Sequence, residues 1–328
     1  MADGATSDRI EAIRGVHTLE ALYEQAGKIN VTPGWLRRDE TSPAGKQQSE
    51  YVPAHWRYDV CKAALDAAGR LIDVSLADRR NLIMCNPLGG NGVITMTTRT
   101  LVAAYQMILP GEKAPSHRHT AHALRVIIDA HGAYSTVDGE KTPMETGDVV
   151  LTPGWCWHEH GHDGDEPAYW FDGLDVPFVR TLENMFFEDN PVPFDPKPRP
   201  VATSPYRFPR DEIARRLDAA VADNEGFHGP RVTLEAPTMP TMQLTMERLA
   251  VGARTRRQRS TANRIFCCVE GSGETVAGDK RLAWQRGDTF AVPCWTKFEH
   301  TAATDAQLFS MSDEPLMRFC RFYRFEVD

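Results

Sequence analysis

His117-Arg118-His119 and the later run Trp157-His158-Glu159-His160 hold the residue types best suited to chemistry in this chain. On a β-strand the side chains at i and i+2 share a face, so His117 and His119 point the same way. His158, arriving on a later strand, can close a three-nitrogen metal site with them. The intervening residues, Gly132 to Pro153, are rich in turn formers and β-type runs. The elements that must position these imidazoles therefore read as a β-barrel that holds a metal in its mouth.

The chain has 328 residues, enough for one large or two ordinary domains. Residues 8–30 and 57–72 read as helices; the second, RYDVCKAALDAAGRLI, gathers Val60, Ala64, Ala67 and Ala68 near one stripe. The polar, Pro-rich run between them (PGWLRRDETSPAGKQQSEYVPAHW) reads as an ordered connecting arm. From about Asn81 the pattern changes to short β-type runs punctuated by Gly, Pro and Asp, among them LRVIIDAHGAYSTV and DVVLTPGWCWHEHG. A Pro-rich stretch from Asn190 to Pro209 reads as a linker, followed by a short helix over 210–222, and strand-type runs resume near Val232. The expected organisation is a helical arm (1–75), a first and catalytic barrel (76–190), a linker with its helix (191–230), and a second barrel (231–328).

The two β regions repeat one set of landmarks. Gly132, Gly139, Gly147-Asp148, Pro153, Trp155, His158 and His160 in the first correspond to Gly271, Gly278, Gly287-Asp288, Pro293, Trp295, Phe298 and His300 in the second. The spacings agree apart from a one-residue slip, which marks a tandem duplication of a small barrel. The copies differ where the chemistry sits. The second carries Arg256-Arg257-Gln258-Arg259-Ser260 in place of His-Arg-His, and Phe298 in place of His158. One surviving imidazole, His300, cannot hold a catalytic metal, so the second barrel is expected to be metal-free.

Bulk properties narrow the function. A net charge of −8 with acids and bases interspersed offers no basic face for nucleic acid. No apolar run has the ~18 residues of a membrane span, and the N-terminus lacks the apolar stretch of a secretory signal. Seven scattered cysteines without a CxxC read as buried thiols in a reducing cytoplasm rather than as a disulfide framework. There is no GxGxxG and no P-loop.

Gly111-x5-His117-x-His119, followed by the Pro153 and His158 region, resembles the two motifs of cupins, which are jelly-roll barrels. The likeness extends through WRYD (56–59), RRNLIMCNP (79–87), QMILPGEKAPSHRHTAHALR (106–125) and GDVVLTPGWCWHEHG (147–161). Together these resemble the gentisate 1,2-dioxygenase family, which includes salicylate and 1-hydroxy-2-naphthoate ring-cleaving enzymes. The resemblance implies a mainly β fold, a tandem cupin (double-stranded β-helix) bicupin with an N-terminal helical arm. It implies Fe(II) held by His117, His119 and His158. Many cupins place a Glu four or five residues after the second motif histidine; Ala123 and Leu124 stand there, which fits the three-His subgroup rather than a 2-His-1-carboxylate plan.

The implied reaction opens a 2-hydroxybenzoate-type acid (gentisate or a substituted salicylate such as the 5-nitro or 5-chloro acid) between the carboxyl- and hydroxyl-bearing carbons. Its partners are the aromatic hydroxy-acid and O2, and the family also implies a homotetramer. The alternatives are a non-oxidative metal cupin (isomerase or hydrolase) and an aromatic-acid-binding cupin without turnover. By the same resemblance Arg125, an even step of six from His119, pairs with a substrate carboxylate or developing oxyanion. Gln106 donates to a substrate oxygen, and His160 serves proton transfer from the face it shares with His158. Asp172, in WFDGLD, meets the ring or a neighbouring histidine. Arg80 covers the mouth and meets the carboxylate, with Arg79 open as the alternative. His122, on the alternate face from His119, points away from the metal, and Trp155 and Trp157 pack in the core. Ala121-His122, Val102 and Ala104 depart from the family pattern, alter the pocket lining and leave room for a ring substituent.

Overall fold

The computed structural model describes residues 2–37, 49–77, 79–88, 95–195 and 197–327. It divides into two units, 1–48 and 49–328. In the first, the helix expected over 8–30 is two helices, Ala2–Arg14 and Leu19–Lys28. Thr18 separates them, because its hydroxyl accepts the Ala21 N–H at 3.2 Å and caps the second helix. Residues 38–48 of the connecting arm lie outside the described residues.

The second unit holds both barrels and begins well before residue 76. Its strands are β1 (Ala54–Trp56), β2 (Arg80–Ile83), β3 (Val102–Ile108), β4 (Lys113–His119), β5 (Ala123–Asp129), β6 (Ala133–Val137), β7 (Glu140–Met144), β8 (Val149–Thr152), β9 (His158–His162) and β10 (Ala168–Leu174). They continue through β11 (Phe187–Asp189), β12 (Arg199–Pro200), β13 (Arg207–Phe208), β14 (Arg231–Leu234), β15 (Gln243–Leu249), β16 (Gln258–Ser260) and β17 (Arg264–Glu270). The last are β18 (Ser272–Ala277), β19 (Lys280–Gln285), β20 (Thr289–Val292), β21 (Phe298–Ala302), β22 (Ala306–Ser312) and β23 (Phe325–Val327).

The first jelly roll faces the sheet β13-β8-β5-β10-β3-β2 against β11-β4-β9-β6-β7-β12; the second faces β1-β20-β17-β22-β15-β14 against β19-β18-β21-β16-β23. The helix read over 57–72 is Tyr58–Leu71, and Tyr58 and Leu65 enter the core. Strand β1, from the region read as arm, is an edge strand of the second barrel through β20. The Pro-rich linker gains a structural role: β12 and β13 lie at edges of the first barrel's sheets, where a proline's missing N–H breaks no ladder. The helix read over 210–222 is Arg210–Ala219.

The barrels stand back to back. Tyr105 and Met107 of β3, Leu124 and Val126 of β5 and Phe171 of β10 share one core with Leu244, Met246, Ile265, Phe309 and Met311. Tyr105 reaches across, its hydroxyl donating to Gly287 O at 2.7 Å. These strands read as near-continuous apolar runs because both faces are buried, one against the other barrel and one in their own lumen.

The lumens differ. The first has an apolar floor of Ile108, Ile127, Met144, Val150 and Trp170, with polar groups above it. The second is filled by Phe266, Phe290, Phe298 and Trp284, and Phe266 and Phe290 stack at 4.9 Å. Phe298 plugs the place of His158, and each such ring contributes roughly 1.5–3 kcal/mol by burial. His300 survives among these rings, with its Nδ1 2.7 Å from Thr275 Oγ1.

Burial pushes His300 from its ordinary 6.5 down to about 3. In the unfolded chain the imidazole takes up a proton below pH 6.5; in the folded chain it does not until about pH 3. Its contribution to stability is therefore fully present above 6.5 and is lost as pH falls toward 3, by about 1.4 kcal/mol per pH unit. In equilibrium denaturation from pH 7 to 4, His300→Gln should be less stable than wild type at pH 7, with the gap narrowing steadily on acidification. A gap that stays constant would show that His300 is not buried neutral.

Candidate metal centre

His117 and His119 leave the same face of β4, and His158 opens β9 directly across from His117 in the antiparallel register. One nitrogen from each of the three lies within 4.8 Å of the others, and all three residues are buried. Among the described residues this is the one cluster of at least three potential ligands. The rings approach edge to face, His117 to His158 at 4.3 Å and His119 to His158 at 5.0 Å.

The protonation state follows from the backbone. His119 Nδ1 is 2.8 Å from Ala121 O, and His158 Nδ1 is 3.0 Å from Cys156 O. A carbonyl only accepts, so each Nδ1 carries the proton and each Nε2 keeps its lone pair for a ligand. Burial, then neighbouring positive charge, pushes His117 to about 2, and burial, together with Arg125 and Arg79, brings His119 to about 4. His158 lies well below its ordinary value for the same first reason. Three neutral, converging imidazoles fit a divalent transition metal and leave its charge uncompensated for anionic ligands.

The cupin-domain family model matches residues 104–176, the segment that carries the triad. The chain is 36% identical over 331 residues to gentisate 1,2-dioxygenase 1 of Aquipseudomonas alcaligenes, covering 92% of this chain and 94% of that one. This chain belongs to the gentisate 1,2-dioxygenase family. It is also 33% identical to a 5-aminosalicylate 1,2-dioxygenase of Comamonas sp., over 93% of this chain and 89% of the relative. The salicylate 1,2-dioxygenase of Pseudoaminobacter salicylatoxidans, solved with gentisate, superposes with a TM-score of 0.86 at 28% identity, covering 96% and 95% of the two chains. As a member of the gentisate 1,2-dioxygenase family, the protein is a ring-cleaving dioxygenase with a metal-binding histidine triad.

The lumen beside the triad gathers most of the other residues singled out from the family pattern. Arg125 on β5 is opposite Asp172 on β10 and Val150 on β8. That register, not the even step from His119, turns it inward, since a turn separates β4 from β5. Its Nη1 donates to Thr152 Oγ1 at 2.6 Å, and its Nε stands 3.3 Å from Asp172 Oδ1 without closing a hydrogen bond. Burial raises the Asp172 carboxyl against the pull of Arg125. His160 is buried with neither ring nitrogen hydrogen-bonded, 6.0 Å from His158 and 5.8 Å from Trp170 between ring centroids. Burial and the Arg125 charge hold it neutral. Gln106 is buried on β3, opposite Trp170 on β10 and Asn81 on β2.

Arg80 is not at the mouth. It is opposite Met107, a side chain of the inter-barrel core, so it turns to the outer face. There Nη1 and Nη2 clasp both Glu112 oxygens at 2.6 Å, and Nε donates to Ile72 O. Arg79 lies on the alternate side. Its Nη2 donates to Pro115 O at 3.0 Å, two residues before His117, and its charge depresses His117, His119 and His160. Trp155 and Trp157, expected in the core, clamp the Arg118 guanidinium at 4.4 Å from each ring. His122 turns away from the triad toward Gly154.

Two aromatics near the triad, buried Trp170 and half-exposed Phe187, lie outside the residues singled out from the sequence pattern. Trp170 lies two residues before Asp172 and so shares its face, a signal that was available. Phe187, stacked on His117 at 4.9 Å, comes from β11, whose pairing with β4 no local pattern announces. Because the Arg80–Glu112 pair is nearly buried, removing one partner strands the other. Arg80→Ala should lower the unfolding free energy by about 3 kcal/mol and leave the metal content per folded chain unchanged. Metal loss at unchanged stability would return Arg80 to the site.

Proposed function

We propose that the triad holds Fe(II) and that the protein cleaves a 2-hydroxybenzoate-type acid, gentisate or a 5-substituted salicylate, between its carboxyl- and hydroxyl-bearing carbons with O2. The single observation that carries this reading is the lumen next to the triad. Both ring nitrogens of His160 are buried there without a hydrogen-bond partner, and beside them Arg125 Nε and Asp172 Oδ1 face each other at 3.3 Å as an ion pair that closes no hydrogen bond. An unmet buried polar group costs about 1–3 kcal/mol. Such groups beside three neutral imidazoles suit a polar, anionic guest rather than a packed core.

Fe(II) in this position supplies Lewis acidity and the electronic coupling through which an electron-rich ring reacts with O2. The ring provides all four electrons, so no flavin or nicotinamide is required. The chain's own residues bind and orient. Arg79 at the rim and Arg125 in the lumen offer guanidinium groups to the carboxylate and to negative charge that develops on oxygen. Asp172 holds Arg125 in place. The Gln106 amide directs the phenolic oxygen. His160, held neutral, has a ring nitrogen free to accept a hydrogen bond from the phenolic hydroxyl and so orient it as the substrate enters. Val102 and Ala104 share the Gln106 face of β3, and their small side chains leave space for a substituent on the ring. The relatives that act on gentisate and on 5-aminosalicylate support this substrate range. The working enzyme in this reading is a homotetramer.

In an oxygen electrode, anaerobically iron-loaded protein should consume one O2 per molecule of gentisate or of a chloro-, nitro- or amino-salicylate, as a ring-opened keto acid absorbs in the near ultraviolet. Arg79→Ala should raise KM for the best acid about tenfold, the loss of one charged hydrogen bond, with stability unchanged. No O2 uptake across the whole panel would reject the proposal.

A further inference from the structure

The two ligand-bearing segments are tied together by one side chain outside the triad. The His122 backbone N–H donates to Asp175 Oδ1 at 2.8 Å, and its ring Nδ1 accepts the Gly154 N–H at 2.8 Å. Gly154 opens the turn whose Trp155 N–H returns to His119 O at 2.7 Å. The Cys156 carbonyl of that turn takes the His158 proton. A Cβ at position 154 would stand 2.3 Å from Thr120 O, so only glycine lets the segments approach this closely. The other oxygen of Asp175 accepts the hydroxyl of Thr241 at 2.6 Å. Thr241 belongs to the second barrel, just ahead of β15.

The second barrel carries the reciprocal arrangement. The Asn263 N–H donates to Asp313 Oδ1 at 2.7 Å, Asn263 Oδ1 accepts the Cys294 N–H at 3.0 Å, and the Trp295 N–H reaches Ser260 O at 2.7 Å. Thr100, from the first barrel, donates to Asp313 Oδ2. Each barrel thus reaches a threonine into the other's aspartate, and each aspartate anchors a residue that pins two loops. In the second copy those loops present Ser260 and Phe298, which offer no imidazole. In the first they present His119 and His158.

We propose that Thr241, Asp175 and His122 are positioning residues through which the metal-free barrel sets the spacing of His119 and His158, and hence the affinity and geometry of the metal site. The proposal rests on the triad being the metal site; it does not depend on which acid is cleaved. Because Asn263 performs the same task in the mirror copy, the acceptor atom at position 122 is what matters, and not the imidazole as such.

The duplication supplies its own control. The full-length chain, stripped of metal with a chelator, is titrated with Co(II) and followed by its visible d–d absorption. Thr241→Val should weaken Co(II) binding about tenfold, as loss of support behind a ligand does, and should alter the band pattern. Thr241→Ser should restore both. Thr100→Val, which breaks the mirror latch, should lower the melting temperature by a similar amount yet bind Co(II) as wild type does. His122→Asn should bind as wild type, whereas His122→Ala should bind at least as weakly as Thr241→Val. Wild-type affinity and spectrum in both Thr241→Val and His122→Ala would overturn the proposal. Equal weakening by Thr100→Val would overturn it too, reducing the contacts to glue between barrels. Wild-type protein that takes up no Co(II) would instead overturn the triad as a metal site, and this proposal with it.

Discussion

Two backbone carbonyls determine what this site can bind. Ala121 O and Cys156 O take the Nδ1 protons of His119 and His158, which leaves the Nε2 lone pairs directed at a common point. Burial then removes the competing state, since a protonated imidazole cannot be accommodated where His117 and His158 sit. A site of three neutral nitrogens, with no carboxylate among them, keeps the whole charge of a divalent ion available to its guest. The lumen beside it carries the buried Arg125 guanidinium and a neutral His160.

Duplication explains how such a site is afforded by a fold of this size. A lumen that keeps Arg125, Asp172 and His160 buried and only partly satisfied above its apolar floor has less of the apolar filling a barrel ordinarily uses for stability. The second copy has that filling in Phe266, Phe290, Phe298 and Trp284. The core shared by the two facing sheets links the copies, so a barrel specialised for packing supports one specialised for chemistry. Of the crossed Thr–Asp contacts, Thr241–Asp175 brings that support to the loops that carry His119 and His158.

Much of this was legible in the residues. Period-two spacing placed His117 and His119 on one face, and the repeated Gly-Asp, Pro and Trp landmarks located His158 and showed that Phe298 stands in its place in the second copy. The Tyr58–Leu71 helix was visible as a helix, but its core face was not: Val60 and Ala64 of the expected stripe are exposed, and Tyr58 and Leu65 enter the core. The direction in which Arg80 turns was not legible, because it depends on the register of β2 against β3, where Arg80 meets Met107. Arg118 drew Trp155 and Trp157 out of the core through a contact that alternation does not encode. The His122 brace joins residues 53, 32 and 66 positions apart, and no local pattern spans such distances. The edge strands within the Pro-rich linker were hidden for a related reason: proline argues against a central strand but is silent about an edge.

Whether His117, His119 and His158 jointly ligate one ferrous ion can be read most directly from X-ray absorption at the iron edge on the anaerobically loaded protein. One iron per chain is expected, with a light-atom shell and multiple scattering from three imidazoles, and a His158→Ala protein should no longer retain stoichiometric iron. Iron bound through fewer imidazoles, or retained unchanged in that variant, would contradict joint ligation.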